Sequence, residues 1–144
     1  MKEYPYRKMN EMREILEVLQ MPSKLKNTRT ILTLLAVARV KEKSKWSQVE
    51  ESYARTHDMI VFMNEYYPNK GGTDLKRGGY SENSRETIRD DSVSPLCSMA
   101  VMEHNGAKSQ SEKSSYRLTK EFATLLRAYG TENWEEELLL FRPL

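Results

Sequence analysis

Asn83-Ser84-Arg85-Glu86-Thr87-Ile88-Arg89-Asp90-Asp91-Ser92 decides how this 144-residue chain is read. Asn83 followed three residues later by Glu86 has the form of a capping box, with Asn83 at the N-cap and Glu86 at N3. A helix is therefore expected over about 84–94. Arg85 and Arg89, spaced i and i+4, share one face of it. Ile88 and Ser92 lie on an adjacent stripe, so Ile88 can anchor the helix while the arginines project outward. Pro95 lacks an N–H and crowds the carbonyl of Asp91, which predicts a kink or stop near Ser94.

Downstream, Met99-Ala100-Val101-Met102 is short, apolar and strand-compatible. Asn105-Gly106 marks a turn, the polar run to Ser115 is a loop, and Tyr116-Arg117-Leu118 alternates as a second strand. The two runs are expected to pair as a hairpin with a long mobile tip, over about 99–118. Thr119 then caps a helix whose apolar face is Phe122, Leu125, Leu126 and Tyr129, and Gly130 supplies its stop. Asn133-Trp134-Glu135-Glu136 opens a last helix, about 133–141, carrying Leu138, Leu139, Leu140 and Phe141.

Upstream, Met12, Ile15, Leu16 and Leu19 fall at i, i+3, i+4 and i+7 and predict a helix over about 9–20. Pro22-Ser23 breaks it. Asn27 is a candidate N-cap for a second helix, reaching about Val40 with Ile31, Leu34, Leu35 and Ala38 inward. The basic link Lys41-Glu42-Lys43-Ser44-Lys45 follows, then Trp46-Ser47, read as a short turn that fixes Trp46 in the core. A third helix is expected over about 57–67. Residues 69–81 hold four of the six glycines, which favours a flexible loop. Three helices, a capped helix and a hairpin are the element order of a winged helix-turn-helix. The expectation is a mainly α fold with a two-stranded wing and C-terminal helices, as a single domain over 1–144.

Composition narrows the function. Hydrophobic residues are 38% and charged residues 31% of the chain, enough to form a core without any run long enough for a membrane helix. Met1 to Lys8 has no apolar segment of a signal peptide, so a cytoplasmic location is expected. One cysteine, Cys97, forbids an internal disulfide, and with two histidines, His57 and His104, it makes a structural zinc site improbable. The net charge of +2 is modest, but residues 1–45 hold 11 Lys/Arg against 5 Asp/Glu, whereas residues 119–144 hold 3 against 5. A basic end suits an anionic partner; it also suits an ordinary solvated surface.

In a winged helix-turn-helix, the helix before the hairpin enters the major groove and the hairpin touches backbone or minor groove. Arginine reads guanine through O6 and N7, and each good bidentate pair discriminates by about 1–3 kcal/mol. Arg85 and Arg89 are the candidate readers; equally, they fit a wet surface on which they pair with Glu86 or Asp90. Asp90 and Asp91 are awkward toward DNA unless they face away or accept from cytosine N4. Lys108 and Lys113, in a Ser-rich tip, have phosphate-binding chemistry, as do Lys41, Lys43 and Lys45, though both segments also read as plain soluble loops. No catalytic constellation stands out. His57 and His104 read as structural and Cys97 as a small buried hydrophobe. Asp74-Leu75-Lys76 has the form of a nuclease Asp-x-Lys, but it falls in the glycine-rich loop rather than on a strand that could hold Mg²⁺ beside a phosphate.

Tyr80-Ser81-Glu82-Asn83-Ser84-Arg85-Glu86-Thr87-Ile88-Arg89 resembles the helix-turn-helix signature of BsuBI/PstI-type restriction endonucleases. Arg13 to Leu19 and Asn27 to Ala36 resemble that family's first two helices, Lys113 to Leu118 its wing return, and Leu125 to Glu135 its closing Gly-Thr-x-x-Trp-Glu junction. The likeness runs over roughly 12–141. It implies a module that recognises double-stranded DNA within a type II restriction enzyme, with Ser84, Arg85, Thr87 and Arg89 on the recognition helix. It also implies a C-terminal Mg²⁺-dependent nuclease domain, which this chain does not include; the chain itself is expected to need no cofactor. Asp90-Asp91, Pro95 and the insertion at 69–81 stand apart from the family pattern. The helix at about 133–141, apolar around its circumference, is expected to be covered by that nuclease domain or by another subunit. Two other functions fit the same element order: a stand-alone dimeric winged-helix transcription regulator, and a winged-helix protein-interaction module.

Overall fold

The computed structural model describes residues 3–69, 73–107 and 113–141. Its first helix, α1, is Arg7–Val18, and the second, α2, is Thr28–Ala38. The third, α3, is Thr56–Tyr66, and α4 spans 85–98. A ribbon follows, with β1 at Met102–His104 and β2 at Tyr116–Leu118, then α5 at Lys120–Arg127 and α6 at Trp134–Phe141.

Helix α2 is the axis of the fold. Asn27 caps it through Thr30 N–H to Asn27 Oδ1 at 2.8 Å. Every residue from Thr30 to Ala38 is buried, not only the predicted stripe, because α1, α3, α4 and β2 all pack around it. Helix α1 contributes Met9, Met12, Ile15 and Leu16, and α3 contributes Met59, Ile60 and Met63. The N-terminus of α1 is capped from a distance: the Glu42 carboxylate accepts from the Arg7 and Lys8 N–H groups at 2.7 and 2.9 Å. Orphan donors at a helix start need such a partner, and the negative charge complements the dipole. Trp46 is buried in a short 3-10 turn, as expected, and its indole N–H donates to Glu11.

The ribbon is antiparallel, pairing Met102 with Leu118, Glu103 with Arg117 and His104 with Tyr116. Sequence reading missed a third contribution to the sheet. Ala54 forms an antiparallel bridge to Tyr116, with N–H···O distances of 2.7 and 2.9 Å in the two directions. The wing is thereby fastened to the segment that leads into α3. Thr119 caps α5 through Phe122 N–H, and Gly130, at φ +77°, closes that end of the molecule as predicted.

Two expectations are corrected, the end of α4 and its cap. Pro95 does not end the helix: residues Arg89–Val93 form a π turn, and α4 runs on to Ser98. In that turn the Ser94 N–H donates to Arg89 O, five residues back, so the ladder shifts where Pro95 has no N–H to offer. Met99 to Val101 is consequently the close of α4, and only Met102 of the predicted strand pairs. Asn83 is not the N-cap; it lies inside a 3-10 turn, Glu82–Ser84, and Ser84 precedes α4 with no side-chain cap. The described ends of the glycine-rich loop make hydrogen bonds that the sequence did not show. Thr73 N–H donates to Tyr67 O at 2.7 Å, and Asn64 holds both the N–H and the carbonyl of Tyr80. Gly79 sits at φ +63°, where an added Cβ would lie 2.6 Å from Asn64 Oδ1, so this position requires glycine.

Candidate nucleic-acid interface

Helix α4 has two faces with separate tasks. Ile88, Ser92, Val93 and Leu96 are buried. Ser92 Oγ meets Thr30 Oγ1 at 2.8 Å and accepts from Arg29 Nε at 3.0 Å, so polar contacts as well as apolar ones fix the helix on α2. Arg85, Glu86, Thr87, Asp90 and Asp91 are exposed, and Ser84 and Arg89 are half-buried. Arg85 therefore projects outward and Ile88 anchors the helix, as expected.

Both arginines have carboxylate neighbours. Arg85 Nε lies 3.2 Å from Glu82 Oε2 and donates to the Glu82 carbonyl at 3.3 Å. Arg89 Nε donates to Asp90 Oδ1 at 2.9 Å. That hydrogen bond raises the Arg89 pKa; slight burial opposes it, and the Asp90 and Glu86 charges add to it. Residues i and i+1 on an α-helix do not face one another. The contact instead lies where the π turn of Arg89–Val93 begins. Glu82 has a second partner, His57 at the start of α3, through Nδ1 to Oε1 at 2.5 Å. His57 therefore joins α3 to the entry of α4, a role its isolated place in the sequence gave no means of seeing.

The wing stem is cross-braced. Asn105 Nδ2 donates to Lys113 O and to Ser115 Oγ, and Asn105 N–H donates to Ser115 O. His104 Nδ1 accepts from Gly106 N–H at 3.3 Å, which leaves Nε2 as the protonated nitrogen donating to Ser114 Oγ at 2.7 Å. On the outer face Arg117 pairs with Glu103 at 3.3 Å and stacks on Tyr53 at 4.6 Å. Strand alternation puts Arg117 on the face opposite the buried Tyr116 and Leu118, making it a wing cation that the sequence pattern did not single out. Lys113 is exposed at the base of the tip, whereas Lys108 lies outside the described residues.

The basic link is not part of the same cluster. Lys41 Nζ stands 4.4 Å from the Tyr66 ring at the C-terminal end of α3, whereas His57 and Glu82 mark the N-terminal end. Nine residues of helix separate the two ends, about 13 Å. Lys43 is exposed beside Glu42, which is committed to capping α1. Asp74, of the Asp-x-Lys triplet, accepts from Lys76 N–H on an exposed turn. Cys97 is only partly buried, and its thiol is pushed up by burial and by Glu103. Among the described residues no three His, Cys, Asp or Glu side chains come together as a metal-holding group, and no helix is long and apolar enough to cross a membrane.

A helix with an outward polar face, packed across α2 and α3 and followed by a braced ribbon, defines a winged helix-turn-helix. The model of the BsuBI/PstI restriction endonuclease HTH domain matches residues 6–143, and the chain belongs to that family. The type II restriction enzyme BsuBI of Bacillus subtilis is 27% identical over 129 residues, covering 87% of this chain and 38% of that protein. The structure of SdaI restriction endonuclease superposes with a TM-score of 0.79 at 22% identity, covering 92% of this chain and 40% of that one; this likeness is one of fold. The chain spans about two fifths of the length of both relatives.

Proposed function

We propose that the chain is the sequence-specific double-stranded DNA recognition module of a type II restriction enzyme. In this reading α4 enters the major groove, with Ser84, Arg85, Thr87 and Arg89 toward the bases, and the wing lies on the backbone through Lys108 and Lys113. Lys41 and Lys43 act only as distant phosphate contacts. The observation that carries the reading is the pair of arginines, Arg85 exposed and Arg89 half-buried, on a helix whose opposite face is locked to α2. A reader must be held rigidly from behind for a small geometric difference between base edges to become an energy difference.

Catalysis is assigned to a Mg²⁺-dependent nuclease domain outside this chain, and α6 is the surface offered to that domain or to another subunit. Leu139 and Leu140 are each 73% exposed, whereas Leu138, between them and the core, is buried. Two adjacent bare leucines on one helix favour a covering partner.

The test is selection from a pool of random duplexes followed by a salt titration of the recovered sequence. Recovery of a consensus, with log affinity falling linearly as log salt rises, is the expected result. Arg89→Ala then flattens discrimination at one base pair, while Lys108→Ala weakens all duplexes alike. No binding to any duplex at about 50 mM salt overturns the reading and favours a protein-interaction module.

A further inference from the structure

We propose that Glu82 and Asp90 are positioning residues for sequence reading, each holding an arginine of α4 by its Nε so that both terminal amino groups face outward as a fixed donor pair for a guanine edge. The inference rests on the reading of α4 as a DNA-recognition helix and adds to it the two acidic residues that such a helix would not be expected to need.

A guanidinium has five N–H donors, one on Nε and two on each terminal nitrogen. The guanine major-groove edge offers two acceptors, O6 and N7. An acceptor on Nε therefore consumes the donor that an end-on contact does not use. In both arginines it is Nε that is engaged: Arg89 Nε donates to Asp90 Oδ1 at 2.9 Å, and Arg85 Nε donates to the Glu82 carbonyl at 3.3 Å with the Glu82 carboxylate paired beside it at 3.2 Å. Among the described residues no hydrogen bond engages the terminal amino groups of Arg85 or Arg89.

Holding the plane before DNA arrives removes rotamer freedom that binding would otherwise have to remove. The two holders are themselves placed by different devices. Glu82 is fixed from the far side by His57 of α3, and Asp90 follows Arg89 at the start of the π turn. A negative charge on a DNA-facing helix costs attraction to every duplex alike, so its retention beside a reader favours selectivity over affinity. Arg85 and Arg89 are four residues apart, about 6 Å along the helix, against a base-pair step of about 3.4 Å. That spacing lets the two side chains address different base pairs.

The experiment uses the full 144-residue chain and the duplex recovered with it from a random pool, alongside the same duplex with each G·C pair changed in turn to A·T. Arg89→Ala is expected to reduce discrimination at one G·C pair by roughly 5- to 150-fold, the range of a good bidentate contact. Asp90→Ala is expected to reduce discrimination at that same pair by about threefold or more, with affinity for unrelated duplex unchanged or raised. Glu82→Gln does the same at the pair addressed by Arg85. Asp90 is exposed, and an unchanged melting temperature identifies the variant as folded. A purely structural role would lower binding to all duplexes together. Discrimination lost in Arg89→Ala but intact in Asp90→Ala sinks the positioning role alone. Discrimination intact in Arg89→Ala, or no consensus recovered, sinks the base-reading assignment and this inference with it.

Discussion

At the scale of single residues, several polar groups on this chain work on the backbone rather than on one another. Asp58 illustrates it. Its carboxylate accepts from Arg55 N–H at 3.0 Å, satisfying a donor at the start of α3. Partial burial alone would raise its pKa, but the side-chain and backbone hydrogen bonds from Arg55, with the Arg55 and His57 charges, outweigh that and lower it. A folded pKa below the unfolded value means the stabilisation is present above about pH 4 and is lost as pH falls through the folded value. Asp58→Ala should therefore cost about 0.5–1 kcal/mol near pH 7, the lower part of the usual range for a cap because the side chain is well exposed. Denaturant titrations should show the gap between wild type and variant narrowing from about pH 6 to about pH 2. An equal gap at both pH values contradicts the assignment. The capping role of Glu42 was illegible for a different reason: its partners lie 34 and 35 residues away, and no local pattern carries that pairing.

At the scale of elements, three helices end by one device. After α1, α2 and α4 the chain turns left-handed at Gln20, Arg39 and Ala100, at φ +57°, +57° and +61°. The next N–H then reaches back five residues: Met21 to Leu16 O, Val40 to Leu35 O and Val101 to Leu96 O. These are Schellman closures, and Met21, Val40 and Val101 are each buried, supplying the hydrophobic contact that accompanies the motif. None has the usual glycine, so sequence reading could find the end of α5, marked by Gly130, more easily than the others. It placed the end of α4 early because Pro95 is a breaker in an α ladder and not where a π turn has moved the ladder by one residue. Alanine pays for a left-handed backbone, so Ala100→Gly should stabilise the fold by about 0.5–1 kcal/mol, read as a higher denaturation midpoint at unchanged slope. Destabilisation would mean that the Ala100 methyl makes a contact worth more than the strain. Element order, the stripes of α1, α5 and the β2 run were legible because each depends on local periodicity. The bridge from Ala54 was not, since one residue has no period.

At the scale of the whole molecule, the bare side is α6. Trp134 and Phe141 face inward, against Tyr129 at 5.2 Å and Phe122 at 5.4 Å, and Tyr129 in turn meets Trp46 at 5.5 Å. The aromatic chain explains why α6 docks with only Leu138 fully buried, and why its apolar circumference is not all consumed by the core. Changing Leu139 and Leu140 together to Glu should leave the melting temperature within about 2 °C, since such surface substitutions usually stay within ±0.5 kcal/mol. Light scattering at high concentration should show less self-association than wild type. A large fall in melting temperature would place these leucines inside the domain's own packing. The ribbon has a consequence of another kind. Because Ala54 is laced to Tyr116, and His57 three residues further on clasps Glu82, a tug on the wing is relayed along one continuous strap to the threshold of α4. On the proposed reading of α4 and the wing, grip and reading would then be yoked: a duplex whose sugar-phosphate contour misfits the ribbon would be misaligned at its bases too, and rejected on shape before any edge is compared.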